Sequence, residues 1–128
     1  MFKFYGKVGR KAAQEQYREI KRKLQWYATA QGRSEQFEAE QALMDGFLSV
    51  EVSTGWYARF YEKKIRKFRI ELFTGDLDLV RLKGELDEDQ NPFAIVMQYR
   101  NWRGEWVTYN ETERQVLEVY CGFFCFEE

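Results

Sequence analysis

The sequence predicts an α+β domain in which two N-terminal helices pack on a roll-like antiparallel meander of six to seven strands. Three observations lead there. Apolar residues recur at helical spacing after Gly9, the apolar period falls to two from Phe47 onward, and short glycine-bearing turns separate the alternating runs. A length of 128 residues suits one domain, 1–128, with a core of its own.

Met1–Val8 reads as a short strand with Phe2 and Phe4 on one side. After Gly9, Ala13, Tyr17, Ile20, Leu24 and Tyr27 form one stripe of an amphipathic helix that Gly32 stops. Ser34 is suited to cap a second helix carrying Phe37, Ala39, Leu43 and Met44, which Gly46 ends. Leu48, Val50 and Val52 then alternate with polar residues. A loop at Ser53-Thr54-Gly55 pairs them with Phe60, Ala58 and Trp56 respectively and keeps one face apolar. A second hairpin, turning at Thr74-Gly75, sets Leu72 against Leu77 and Ile70 against Leu79. A third, turning at Arg103-Gly104, places Ile95, Met97, Tyr99 and Trp106 on a common face. Asn110-Glu-Thr-Glu113 resembles a capping box that starts one or two helical turns, and Val116–Phe126 reads as a final strand, with a helix running into a strand as the alternative.

Composition narrows the function. There is no histidine, which removes His-based triads and His-containing metal sites. Cys121 and Cys125, four apart on a strand, lie beyond disulfide reach and read as buried apolar thiols, so a reducing, cytoplasmic setting is expected. No apolar run approaches the roughly 18–20 residues of a membrane span, and no membrane partner is expected. Serines are few and none has a base partner in view, so the expectation is a protein that is not an enzyme and takes no cofactor.

Charge is divided along the chain. Residues 1–34 hold nine Lys/Arg against two acids, whereas residues 71–128 hold thirteen acids against five bases. Lys11, Arg18, Lys21 and Arg22 fall on the polar side of the first helix, suited to phosphates or to an acidic protein. Glu85, Asp87, Glu88 and Asp89 form an acidic recognition loop. In the second hairpin Glu71 falls opposite Asp78 with Asp76 beside them. Like charges across a ladder need relief, and these three are the one candidate metal site. Tyr57, Tyr61, Phe73, Trp102 and Tyr109 are left on the outer face, with Arg59 among them.

The expectation that follows is a small binding or regulatory protein that engages a protein or ribonucleoprotein partner through charged and aromatic patches. Its site residues would be Lys11, Arg18, Lys21, Arg22, Tyr57, Arg59, Tyr61 and Trp102. Small two-signed proteins of this kind occur among phage and mobile-element inhibitors of host defence, an analogy of size and charge only. The alternative is a nucleic-acid binder using the basic helix. Behind it stand a carboxylate- and metal-dependent phosphodiesterase and a small-ligand pocket protein, and self-association as a homodimer is a further option.

Overall fold

In the computed structural model the described residues form three helices and five strands. In order these are α1 (Phe2–Thr29), α2 (Gly32–Met44), β1 (Phe47–Tyr57), β2 (Lys63–Leu72), β3 (Val80–Leu86), β4 (Pro92–Arg100), β5 (Trp106–Thr108) and α3 (Arg114–Cys121). The described residues are 2–45, 47–57, 63–72, 80–124 and 126, with the side chains of 2–8, 47–48, 54–57 and 63–65 excepted. The strands form one antiparallel sheet in chain order, β1-β2-β3-β4-β5, so the α+β class and the meander both hold. Among the described residues there are five strands rather than six or seven, and a third helix follows the sheet.

The first helix begins earlier than its apolar stripe suggests. Residues 2–8, read as a strand, are helical, and Gly9 lies inside α1 instead of before it. The reason is packing. A Cβ at Gly9 would overlap the Arg100 carbonyl oxygen, so glycine lets α1 settle directly on β4. Farther along, Ala13, Tyr17 and Ile20 are buried, while Leu24 and Tyr27 pack at the margin of the core. Gly32, at φ 81°, opens α2 rather than closing α1, and Ser34 therefore lies within the helix. The corner is tied by Glu35. One of its carboxylate oxygens accepts the Gln31 N–H at 2.9 Å and the other the Trp26 indole N–H at 3.3 Å.

Two hairpins differ from the expected ones. β1 runs straight through Ser53-Thr54-Gly55, and its partners are on β2: Val50 with Ile70, Val52 with Phe68, Gly55 with Ile65. The long pairing keeps apolar residues on one side and also sets Glu51 across from Arg69, which the short hairpin does not. Ala58, Phe60, Arg59 and Tyr61 lie outside the described residues. In the next pair Leu72 faces Val80 and Ile70 faces Leu82, with residues 73–79 outside the described set. This register puts Glu71 opposite Arg81, so the like-charge pairing with Asp78 does not arise.

The β3–β4 and β4–β5 turns share one design. Asp87 accepts the N–H groups of Asp89 and Asn91 at 2.9 and 2.8 Å; Asn101 accepts those of Arg103 and Glu105, both at 2.9 Å. The fourth residue of each turn is left-handed, Gln90 at φ 67° and Gly104 at φ 78°. Between the turns, β3 and β4 slip by one residue near Gly84, where Ala94 takes φ 52° and Phe68 covers the bare glycine. The third hairpin has its expected turn, yet its faces divide differently. Tyr99 faces Val107 on the core side, whereas Trp106 faces Arg100 on the other.

The tail is helical over Arg114–Cys121, as in the alternative reading, and no strand follows among the described residues. Leu117, Tyr120 and Cys121 recur at helical spacing and are buried, and Phe124 and Phe126 close the core behind them. Phe126 lies against Phe68 with ring centroids 4.6 Å apart, and its carbonyl accepts from Arg66 at 3.0 Å. The expected capping box is absent: Glu113 precedes α3 with no side-chain cap, and the Tyr17 hydroxyl accepts the Glu113 N–H at 2.8 Å. One core results, roofed by α1 and α3 over β3 and β4, with Leu43 of α2 entering from the side. Each fully buried apolar side chain there contributes about 1.5–3 kcal/mol of transfer free energy.

Candidate binding face on the open side of the sheet

Because strand residues alternate, the sheet has a second face, and among the described residues no helix packs on it. Its side chains form rows across the strands. Glu51, Arg69, Lys83 and Val96 make one row, and Glu71, Arg81, Gln98 and Thr108 the next. A third row runs from Ser53 through Lys67 and Glu85 to Phe93, and a fourth pairs Arg100 with Trp106. Glu51 with Arg69, Glu71 with Arg81 and Glu85 with Lys67 meet across the ladder as opposite charges, and the one like pair, Arg69 with Lys83, is offset by Glu51 and Glu71 beside Arg69.

The β5 end is aromatic and cationic. Arg81 and Arg100 both stack on the Trp106 ring, their guanidinium carbons 4.0 and 4.9 Å from its centroid. Arg81 also donates from Nε to Gln98 Oε1 at 2.8 Å, which fixes the plane of its guanidinium. Arg69 is held by Glu51 and, at 3.9 Å, by Glu71. Lys83 and Lys67 extend outward as exposed cations. Phe93 and Val96 add exposed apolar area beside them, and Trp102 at the β4–β5 turn is 46% exposed with Arg103 stacked 4.7 Å from its centroid.

The sequence-derived sites fare unevenly. Arg18, Lys21 and Arg22 do come together, lining with Leu24, Gln25 and Val116 an open groove of about 530 Å³ between α1 and α3. Two of the three are engaged. Lys21 pairs with Glu113 at 3.7 Å, and Arg22 pairs with Glu19 at 2.8 Å, a hydrogen bond that lowers the Glu19 carboxyl below its usual range. Lys11 is exposed farther along the same helix.

The acidic loop divides in two. Glu85 belongs to β3 across from Lys67, and Asp87 spends its carboxylate on its own turn, which leaves Glu88 and Asp89 exposed. Of the acidic cluster, Asp76 and Asp78 lie outside the described residues and Glu71 faces Arg81; no group of three metal-ligating side chains occurs among the described residues. Of the expected outer aromatics, Tyr109 is in fact buried, ring-to-ring with Tyr99 at 6.5 Å. Only Trp102 is placed as expected, because Tyr61 and Phe73 and the side chain of Tyr57 are outside the description, as is Arg59.

Arg81, Lys83, Arg100 and Trp106 were missed, and alternation could have found them. Each sits one step from a core residue: Arg81 and Lys83 flank Leu82, and Arg100 and Trp106 adjoin Tyr99 and Val107. Cys121 is fully buried and burial pushes its thiol well above the usual range, which suits packing and not nucleophilic attack; Cys125 lies outside the described residues. No helix among the described residues is long and apolar enough to cross a membrane. Compared with protein-family models, curated proteins and solved structures, the chain matches none.

Proposed function

We propose that this protein is a non-catalytic binding protein whose open sheet face engages an acidic surface on a partner protein, free or within a ribonucleoprotein. The observation that carries the reading is the uncovered face on which Arg81 and Arg100 stack on Trp106 at the β5 end, while Lys83 and Lys67 lie nearer the exposed Val96 and Phe93. Arginine and aromatic residues with apolar neighbours are the composition of protein interfaces. Two features favour protein over nucleic acid. Both guanidiniums already stack on Trp106, so the ring is not an open platform for a base. Glu51, Glu71 and Glu85 are interleaved with the cations, which suits a partner of mixed charge better than a phosphate backbone.

The test is affinity capture from native extract, with and without nuclease, comparing the wild-type protein with Lys83→Glu/Arg100→Glu. Capture that survives nuclease and is lost in the double variant, with its circular dichroism unchanged, supports the proposal. Capture abolished by nuclease, or equal in the two proteins, refutes it.

A further inference from the structure

The two edges of the sheet are treated differently. β5 is only three residues long, and short edge strands are a common guard against unwanted pairing. β1, at the opposite edge, runs eleven residues from Phe47 to Tyr57 and contains no lysine, arginine or proline. Its single charge, Glu51, is spent on Arg69. The helical layer lies over β3 and β4, and among the described residues no helix is laid broadly along β1. Val50 and Val52, on its core side, remain partly exposed. An edge so long and so little guarded offers backbone N–H and C=O groups to another strand.

We propose that β1 pairs antiparallel with β1 of a second copy of this chain, joining two sheets into one of ten strands. The strand is self-complementary about its midpoint, Val52. In that register Val52 faces its own copy, Glu51 faces Ser53, Val50 faces Thr54 and Ser49 faces Gly55. No like charges meet. Shifting the centre to Glu51 sets two carboxylates opposite each other, whereas centring on Val52 avoids this and pairs all eleven residues of the strand. The two-fold axis is perpendicular to the sheet, so both open faces lie on one side of the dimer and both helical layers on the other. The dimer is independent of what the open face binds.

Light scattering across a dilution series tests it. The expected result is a species of twice the 15.5 kDa chain mass that dissociates on dilution. Ser53 is exposed and faces Lys67, so Ser53→Glu leaves the subunit folded. Across the interface the introduced carboxylate meets Glu51 of the other copy, once on each side of the axis, and dimerisation weakens roughly tenfold. In a Cys125→Ser background, Val52→Cys forms a disulfide-linked dimer under mild oxidation, because facing residues of an antiparallel pair are about 4.5–5.5 Å apart at Cα, within disulfide reach. Ser49→Cys, which faces Gly55, does not cross-link. A monomer at every concentration, a dimer indifferent to Ser53→Glu, or cross-linking through Ser49→Cys in place of Val52→Cys overturns the proposal.

Discussion

Gly84 is the sharpest place to test the core. A methyl group at this position would lie 2.6 and 2.7 Å from two ring carbons of Phe68 and 3.0 Å from an Ile95 carbon, where comfortable contact needs about 3.5–4.0 Å. Neither neighbour has room to withdraw: Phe68 is 2% exposed and is backed by the Phe126 ring, and Ile95 is 7% exposed. In an unstrained strand, alanine is favoured over glycine by about 0.5–1 kcal/mol. Overpacking costs about 1–3 kcal/mol, so the clash prevails and Gly84→Ala is expected to lose about 1–2 kcal/mol. For a chain of this length each kcal/mol corresponds to about 3–5 °C in Tm, which calorimetry and urea melts both resolve. Phe68→Leu frees the space, so the double variant should cost less than the sum of its two single changes. A neutral or stabilising Gly84→Ala, or strict additivity with Phe68→Leu, refutes the packing of that ring over the bulge.

Other perturbations have defined outcomes. Gln90→Gly relieves a left-handed residue in a turn whose twin already has Gly104, and should gain about 0.5–1 kcal/mol in chemical denaturation; a loss contradicts the shared turn geometry. Gly9→Ala improves helix propensity by about 1 kcal/mol but meets the Arg100 carbonyl, so a net destabilisation in thermal melts is expected, and a gain would mean that α1 is not seated on β4. Burial raises the Cys121 thiol and the Tyr120 phenol, so above the thiol's unfolded pKa of about 8.5 the unfolded chain sheds protons that the native one retains. Stability should therefore be complete at neutral pH and fall progressively in alkali; in Cys125→Ser, thiol labelling should track unfolding, and rapid labelling of the folded protein would contradict the burial.

How far the fold could be read depends on the range of the forces. Tyr17 and Ile20 announced the buried side of α1 because helical periodicity is local, and the Asn101 turn was legible from its glycine. The β2–β3 register was not, since two apolar alternations can slide past each other until charge decides, and the pairing of Glu71 with Arg81 rests on residues ten apart. Short apolar runs are ambiguous between helix and strand. Leu117, Tyr120 and Cys121 hold the helical spacing of α3, yet their aromatic and β-branched neighbours favour strand, and only the packed core arbitrates. The open face was overlooked for a related reason. Its cations are ordinary outward residues one at a time, and they become a surface only once four strands have aligned.

The Tyr17 hydroxyl that accepts the Glu113 N–H makes the last helix depend on the first. Eight residues are too few to hold a helix on their own in water. The closing helix therefore draws its stability from the opening one and from the rings of Tyr120, Phe124 and Phe126, which pack together in the shared core.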